Sequence, residues 1–108
     1  MLKKEYISLL NLDLSQNKWR MYKIEITFPD QHFPFFVVKL SWGRMNSYHR
    51  SQIHSFEEEG KMHRFLEQTL KRRKRHGYRV FEKSDGFPAS PTLQEFEFAG
   101  DMGQLLLF

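Results

Sequence analysis

At 108 residues the chain is long enough for one domain with one modest core. Aromatics make up 16% of it, eleven of them Phe, and no apolar run approaches the ~20 residues that span a bilayer. The absence of cysteine excludes disulfides, zinc–thiolate centres and thiol nucleophiles, and fits a reducing cytoplasm. The net charge of +4 divides unevenly: residues 1–81 hold 16 Lys/Arg against 8 Asp/Glu, whereas residues 82–108 hold one Lys against five acids. A basic body with an acidic tail points to a polyanion partner for the body and a separate task for the tail.

The opening stretch MLKKEYISLL has two lysines and a short, interrupted apolar run without a small-residue cleavage site. It reads as part of the fold rather than as a secretory signal. YKIEITF (22–28) alternates apolar and polar residues with the period of a half-buried strand. PDQHFP is rich in turn formers and joins a hairpin, whose next strand is the β-branched and aromatic FFVVKLSW (35–42). HRSQIHSF (49–56) predicts a third, more polar strand.

The period then changes. Ser55 and Glu58 have the spacing of a capping box, and Glu57, Glu58 and Glu59 suit the positive end of a helix dipole. Met62, Phe65, Leu66, Thr69 and Leu70 follow at three- and four-residue steps, giving one apolar stripe. Lys71 to His76 crowd the last turns, and Gly77 closes the helix. About 20 residues correspond to a helix of roughly 30 Å. Gly60 within it costs about 1 kcal/mol. Tyr78–Phe81 predicts a closing strand, KSDGFPASPT a linker, and LQEFEFA (93–99) one more strand. The expected architecture is α+β: a small antiparallel sheet, one long amphipathic helix packed on it, and a C-terminal tail. The expected divisions are a domain over 1–81, a linker over 82–92 and a tail over 93–108.

Within this frame the pieces from Tyr22 to Tyr78 form a pattern. Met21-Tyr22 opens one strand, Trp42-Gly43-Arg44 ends the next, and Phe56 ends the third. Glu57–Glu59 start the helix, and KRRKRHGY ends it on Gly77-Tyr78. The pattern resembles the WGR domain, in the style of the small, nearly stand-alone WGR proteins of bacteria. Three positions depart from it: Asn46 stands where a Gly is usual, His49-Arg50 where Gly-Gln is usual, and Arg20 holds the basic position nearest the first aromatic. In poly(ADP-ribose) polymerases the WGR domain binds DNA breaks near a 5′-phosphate and relays that binding to a catalytic domain. The resemblance therefore implies binding of DNA ends or nicks, and residues 82–108 are too few to hold such a catalytic domain.

The chemistry of the triplet agrees. Trp42 offers a flat face to a terminal base or sugar, a stack worth ~1–3 kcal/mol. Arg44 offers a planar fork for phosphate oxygens. Gly43 removes a side chain that would hold a nucleic-acid backbone away, or lets the chain turn. Equally, Trp42 suits core packing, Gly43 a bulge and Arg44 a solvated edge charge. The run Lys71, Arg72, Arg73, Lys74, Arg75 exceeds what a helix dipole needs, which favours phosphate contact. Arg20, Arg50 and Tyr78 complete the candidate DNA-binding set. The five histidines show no metal-ligand spacing, and no catalytic constellation stands out, so neither a metal, a cofactor nor an enzymatic activity is expected.

QLLLF (104–108) resembles the Q-L-x-L-F peptide by which bacterial replication and repair proteins dock on the β sliding clamp. Gln104 would supply paired hydrogen bonds while Leu105, Leu107 and Phe108 fill an apolar groove; alternatively, the segment is a last strand of the domain. The combined reading is a non-catalytic bacterial DNA-binding module for repair or replication sites, cytoplasmic and nucleoid-associated, without a membrane partner. The alternative is a protein-interaction adaptor that uses the Trp42 surface.

Overall fold

The computed structural model describes residues 2–13, 18–44 and 50–96. Five strands and two helices follow in the order β1 (Lys4–Asp13), β2 (Lys18–Thr27), β3 (Phe36–Arg44), β4 (Arg50–Phe56), α1 (Glu59–Arg75), β5 (Arg79–Lys83) and α2 (Pro91–Gln94). The strands form one sheet in the order β4-β3-β2-β1-β5, with every neighbouring pair antiparallel. Among the described residues, no helix is long and apolar enough to cross a membrane.

One face of the sheet carries the core. Ile7 and Leu9 of β1, Tyr22, Ile24 and Ile26 of β2, and Val38 and Leu40 of β3 lie at alternate positions and pack against Met62, Leu66 and Leu70 of α1. Ile7, Leu9, Ile24, Ile26, Met62 and Leu70 have no solvent exposure. Burial of such a side chain contributes about 1.5–3 kcal/mol, so this face fixes where the helix lies. The predicted turn at 29–34 is closed by Asp30, whose Oδ1 accepts from the backbone N–H of His32 (2.8 Å) and Phe33 (2.9 Å).

Several expectations are corrected. The opening stretch is part of the fold, as expected, and forms an interior strand that was not foreseen, paired with β2 on one side and β5 on the other. Ile7, Ser8, Leu9 and Leu10 are all buried, so no alternation marks it as a strand. Ser55 does not cap the helix. It lies in β4 opposite Val37, and Glu58 is the N-cap, without a side-chain cap bond. The reason is Phe56, held on the sheet by Phe65 at 5.3 Å between ring centroids, which delays the helix to Glu59. Its 17 residues make α1 ~25 Å long. The Trp-Gly-Arg triplet is not a turn or a bulge, because Gly43 pairs with Met21 and Arg44 with Arg20 in an unbroken ladder.

Residues 82–96 also do more than link. Phe87, Leu93 and Phe96 join the core. Ser84 accepts from the Tyr6 N–H (2.8 Å) and donates to Glu5 (2.5 Å). Ser90 caps α2, and Ser90 and Thr92 both donate to Glu67 of α1. Leu93 and Gln94 are therefore not the start of a strand: Leu93 and Phe96 are three apart, a helical spacing that lets both reach the core. Residues 97–99 and the clamp-like 104–108 lie outside the described residues.

The helix ends in a Schellman turn. His76 is the C-cap, Gly77 takes φ 88°, and the N–H groups of Gly77 and Tyr78 donate to the carbonyls of Lys74 and Arg73. Two glycine substitutions should therefore act in opposite directions. Gly77→Ala forces a Cβ into the left-handed region and lowers stability by about 1 kcal/mol. Gly60→Ala, in the first helical turn with no atom within 4 Å of the new Cβ, raises it by about 0.5 kcal/mol. Urea unfolding of the two variants measures both.

Candidate nucleic-acid interface

The core face of the sheet changes chemistry where α1 ends. Along β2, Ile26, Ile24 and Tyr22 are followed on the same face by Arg20; along β3, Val38, Leu40 and Trp42 are followed by Arg44. Arg20 and Arg44 are directly opposite each other, and Trp42 is opposite both Tyr22 and Arg50. An aliphatic floor thus becomes aromatic and then cationic within two residue pairs.

The aromatic step is built as a stack. The rings of Tyr22 and Trp42 are 5.9 Å apart and 16° from parallel, while Tyr78 meets Tyr22 edge-on at 6.0 Å. Arg73 lies over this group, its guanidinium 4.7 Å from the Tyr22 ring and 5.7 Å from that of Tyr78. Such contacts are worth about 0.5–2 kcal/mol each. Trp42 is half-buried: it packs against the core and also lines an open cleft.

That cleft has a volume of about 390 Å³ and is lined by Arg20, Trp42, Gly43, Arg44, Arg50, Arg73 and Tyr78. Seven of the eleven candidate DNA-binding residues therefore meet in one place, from three strands and the helix end. Among the described residues no carboxylate pairs with any of the four arginines. The Nε of Arg73 is buried and finds no acceptor among the described residues. Leaving such a donor unmet costs ~1–3 kcal/mol.

The remainder of the basic run separates by helical position. Arg73 continues the Met62–Leu66–Leu70 stripe and turns inward. Lys74 pairs with Glu95 at 3.0 Å. Lys71, Arg72 and Arg75 are exposed. Of the histidines, His63 lies 3.4 Å from Glu59, His54 leans on Phe65, and His76 caps the helix. His49 and Asn46, with the clamp-like Gln104, Leu105, Leu107 and Phe108, lie outside the described residues.

Sequence reasoning missed Tyr22 as part of the site. Counting cross-strand partners outward from the Asp30 turn would have found it opposite Trp42. It also missed Asn11, which sits opposite Arg20 and donates from Nδ2 to the His76 carbonyl (3.1 Å), tying β1 to the helix end.

Burial raises the Tyr22 phenol above its ordinary value of 10.0, against an opposing pull from the Arg73 charge. The raised folded-state value gives a contribution to stability that is complete below pH ~10 and is lost as pH rises through the folded value. Arg73→Gln removes the opposing charge and should push the Tyr22 titration higher still, read by ultraviolet difference spectroscopy.

The WGR domain model matches residues 6–85. No curated protein and no solved structure matches the chain. The matched span runs from β1 to just beyond β5 and contains the triplet, the basic helix end and the Gly77-Tyr78 turn, and on that match this chain belongs to the WGR domain family.

Proposed function

We propose that this chain is a non-catalytic DNA-binding module that recognises interrupted strands, at ends, nicks or 5′-phosphates, through the cleft between β2, β3, β4 and the end of α1. WGR domains form a non-catalytic family and generally act as nucleic-acid-binding modules in proteins resembling poly(ADP-ribose) polymerases. The observation that carries the reading is the gathering of Arg20, Arg44, Arg50 and Arg73 around one cleft, beside Trp42 and Tyr78 and without a carboxylate partner among the described residues. Guanidinium groups left unneutralised in this way suit phosphate oxygens, which they grip in pairs. The aromatic walls suit a terminal sugar or base. Lys71, Arg72 and Arg75, exposed on the adjoining helix end, add attraction that does not depend on sequence.

The experiment is a salt titration against nicked, blunt and intact duplexes, with and without a 5′-phosphate. The expected result is tighter binding to interrupted, phosphorylated DNA. Arg44→Ala should weaken it roughly tenfold and lower the log–log salt slope by about 0.9. Equal affinity for all duplexes would reduce the claim to nonspecific charge.

The QLLLF segment extends the proposal to recruitment: it docks the module on a bacterial sliding clamp at sites of replication or repair. Deleting residues 104–108 should abolish clamp pull-down and leave DNA affinity unchanged. Retained pull-down would remove the recruitment role.

A further inference from the structure

Beyond Arg73 the same face of the sheet holds a second cleft. It has a volume of about 240 Å³ and lies between α1 and β4, bounded chiefly by Gln52, His54, Phe65, Arg72 and Arg73. Arg73 lines both clefts and is their shared wall. The ladder aligns them: Arg50 is opposite Trp42 in the first cleft, and Gln52 is opposite Leu40 one step further along.

The spacing limits what can occupy both. Two residues along a strand cover ~7 Å, whereas successive nucleotides stacked in a duplex advance ~3.4 Å along each strand. An unstacked nucleotide spans the step and a stacked one falls short. The chemistry of the second cleft also differs from that of the first. Its polar groups on β4 are the Gln52 carboxamide and the His54 imidazole, 3.4 Å apart, and the His54 ring rests 4.5 Å from that of Phe65. A carboxamide presents a donor and an acceptor together, which matches the edge of a nucleobase rather than a phosphate. An aromatic wall beside it offers a surface for a base face.

We propose that this second cleft is a base subsite. It receives the unpaired base adjoining the phosphate held between Arg20 and Arg44, so the preferred ligand is a frayed or flapped 5′-phosphorylated end rather than a fully paired one. The assignment rests on the nucleic-acid reading of the first cleft. Gln52 reads the hydrogen-bonding edge, Phe65 and His54 form the stacking wall, and Arg73 lies between base and phosphate, with its buried Nε facing no acceptor among the described residues.

The test compares three fluorescently labelled, 5′-phosphorylated duplexes of one length by anisotropy at fixed salt. One is blunt, one carries a single unpaired 5′ nucleotide, and one carries the same unpaired position without its base. The base-bearing end should bind about fivefold more tightly than the abasic one, the low end of a base–aromatic stack. Gln52→Leu, on the exposed strand β4, removes the edge contact and leaves the stacking wall, so it should lower that ratio about twofold, with folding checked by circular dichroism. Equal binding of the base-bearing and abasic ends, with the blunt duplex still bound, overturns the subsite alone. A full ratio in Gln52→Leu overturns its placement in this cleft. Failure to bind any of the three removes the nucleic-acid reading and the subsite together.

Discussion

The pairing of Tyr22 with Trp42 sets the side of the sheet that each cleft residue on β2, β3 and β4 occupies. A slip of one residue between β2 and β3 would carry Trp42 and Arg44 to the opposite face and bring Lys39 and Ser41 under the helix. The slip is prevented by residues remote from the cleft. Ile24, Ile26, Val38 and Leu40 are buried beneath α1, and exchanging them for polar neighbours would forfeit roughly 1.5–3 kcal/mol apiece. The core therefore dictates the geometry of the cleft, and the exposed arginines Arg20, Arg44 and Arg50 need contribute little to folding.

This division of labour explains how the fold accommodates four guanidinium groups in one place. Arg20 opposes Arg44 directly, an arrangement that destabilises a sheet. Both are solvent-exposed, at the end of the ladder, where water and salt weaken their repulsion. Arg73 is the exception, being half-buried, and among the described residues its charge is met by the faces of Tyr22 and Tyr78 rather than by a carboxylate. On the proposed reading, a phosphate entering the cleft would relieve the first repulsion and gain charge-assisted hydrogen bonds without displacing a carboxylate of the described residues.

The hairpin strands, α1 and the closing strand were legible because their periods are distinct. Ile24 and Ile26 alternate with charged residues, and Met62, Leu66 and Leu70 recur at four-residue steps. The first strand was not legible as a strand, because a central position buries Ile7, Ser8, Leu9 and Leu10 alike and erases alternation. The Ser55-Glu58 spacing misled for a related reason: a local capping signal lost to the tertiary packing of Phe56 on Phe65. Within the site, the triplet, Arg20 and Tyr78 were legible from pattern. The second cleft was not, since Gln52 and His54 lie on β4 and Phe65 on α1, and only the packing of α1 over β4 brings them together.

The basic run shows how packing converts a charge cluster into a directional one. In sequence, Lys71 to Arg75 are five equivalent cations. In the fold, Arg73 is drawn into the cleft by the helical stripe it extends, and Lys74 is turned towards the C-terminal segment, where Glu95 meets it at 3.0 Å. An exposed pair of this kind adds little to stability, about 0–1 kcal/mol. Its effect lies in where charge remains unmatched. On the side of Gly77 and Arg79 the charge of Lys74 is matched, since a third cleft contains both Lys74 and Glu95. On the side of Trp42 the arginines lack a carboxylate among the described residues. On the proposed reading, an approaching polyanion would find unmatched charge at the aromatic cleft, and the acidic residue that removes it from the other side comes from the same C-terminal segment that Ser90, Thr92 and Glu67 fasten to the helix.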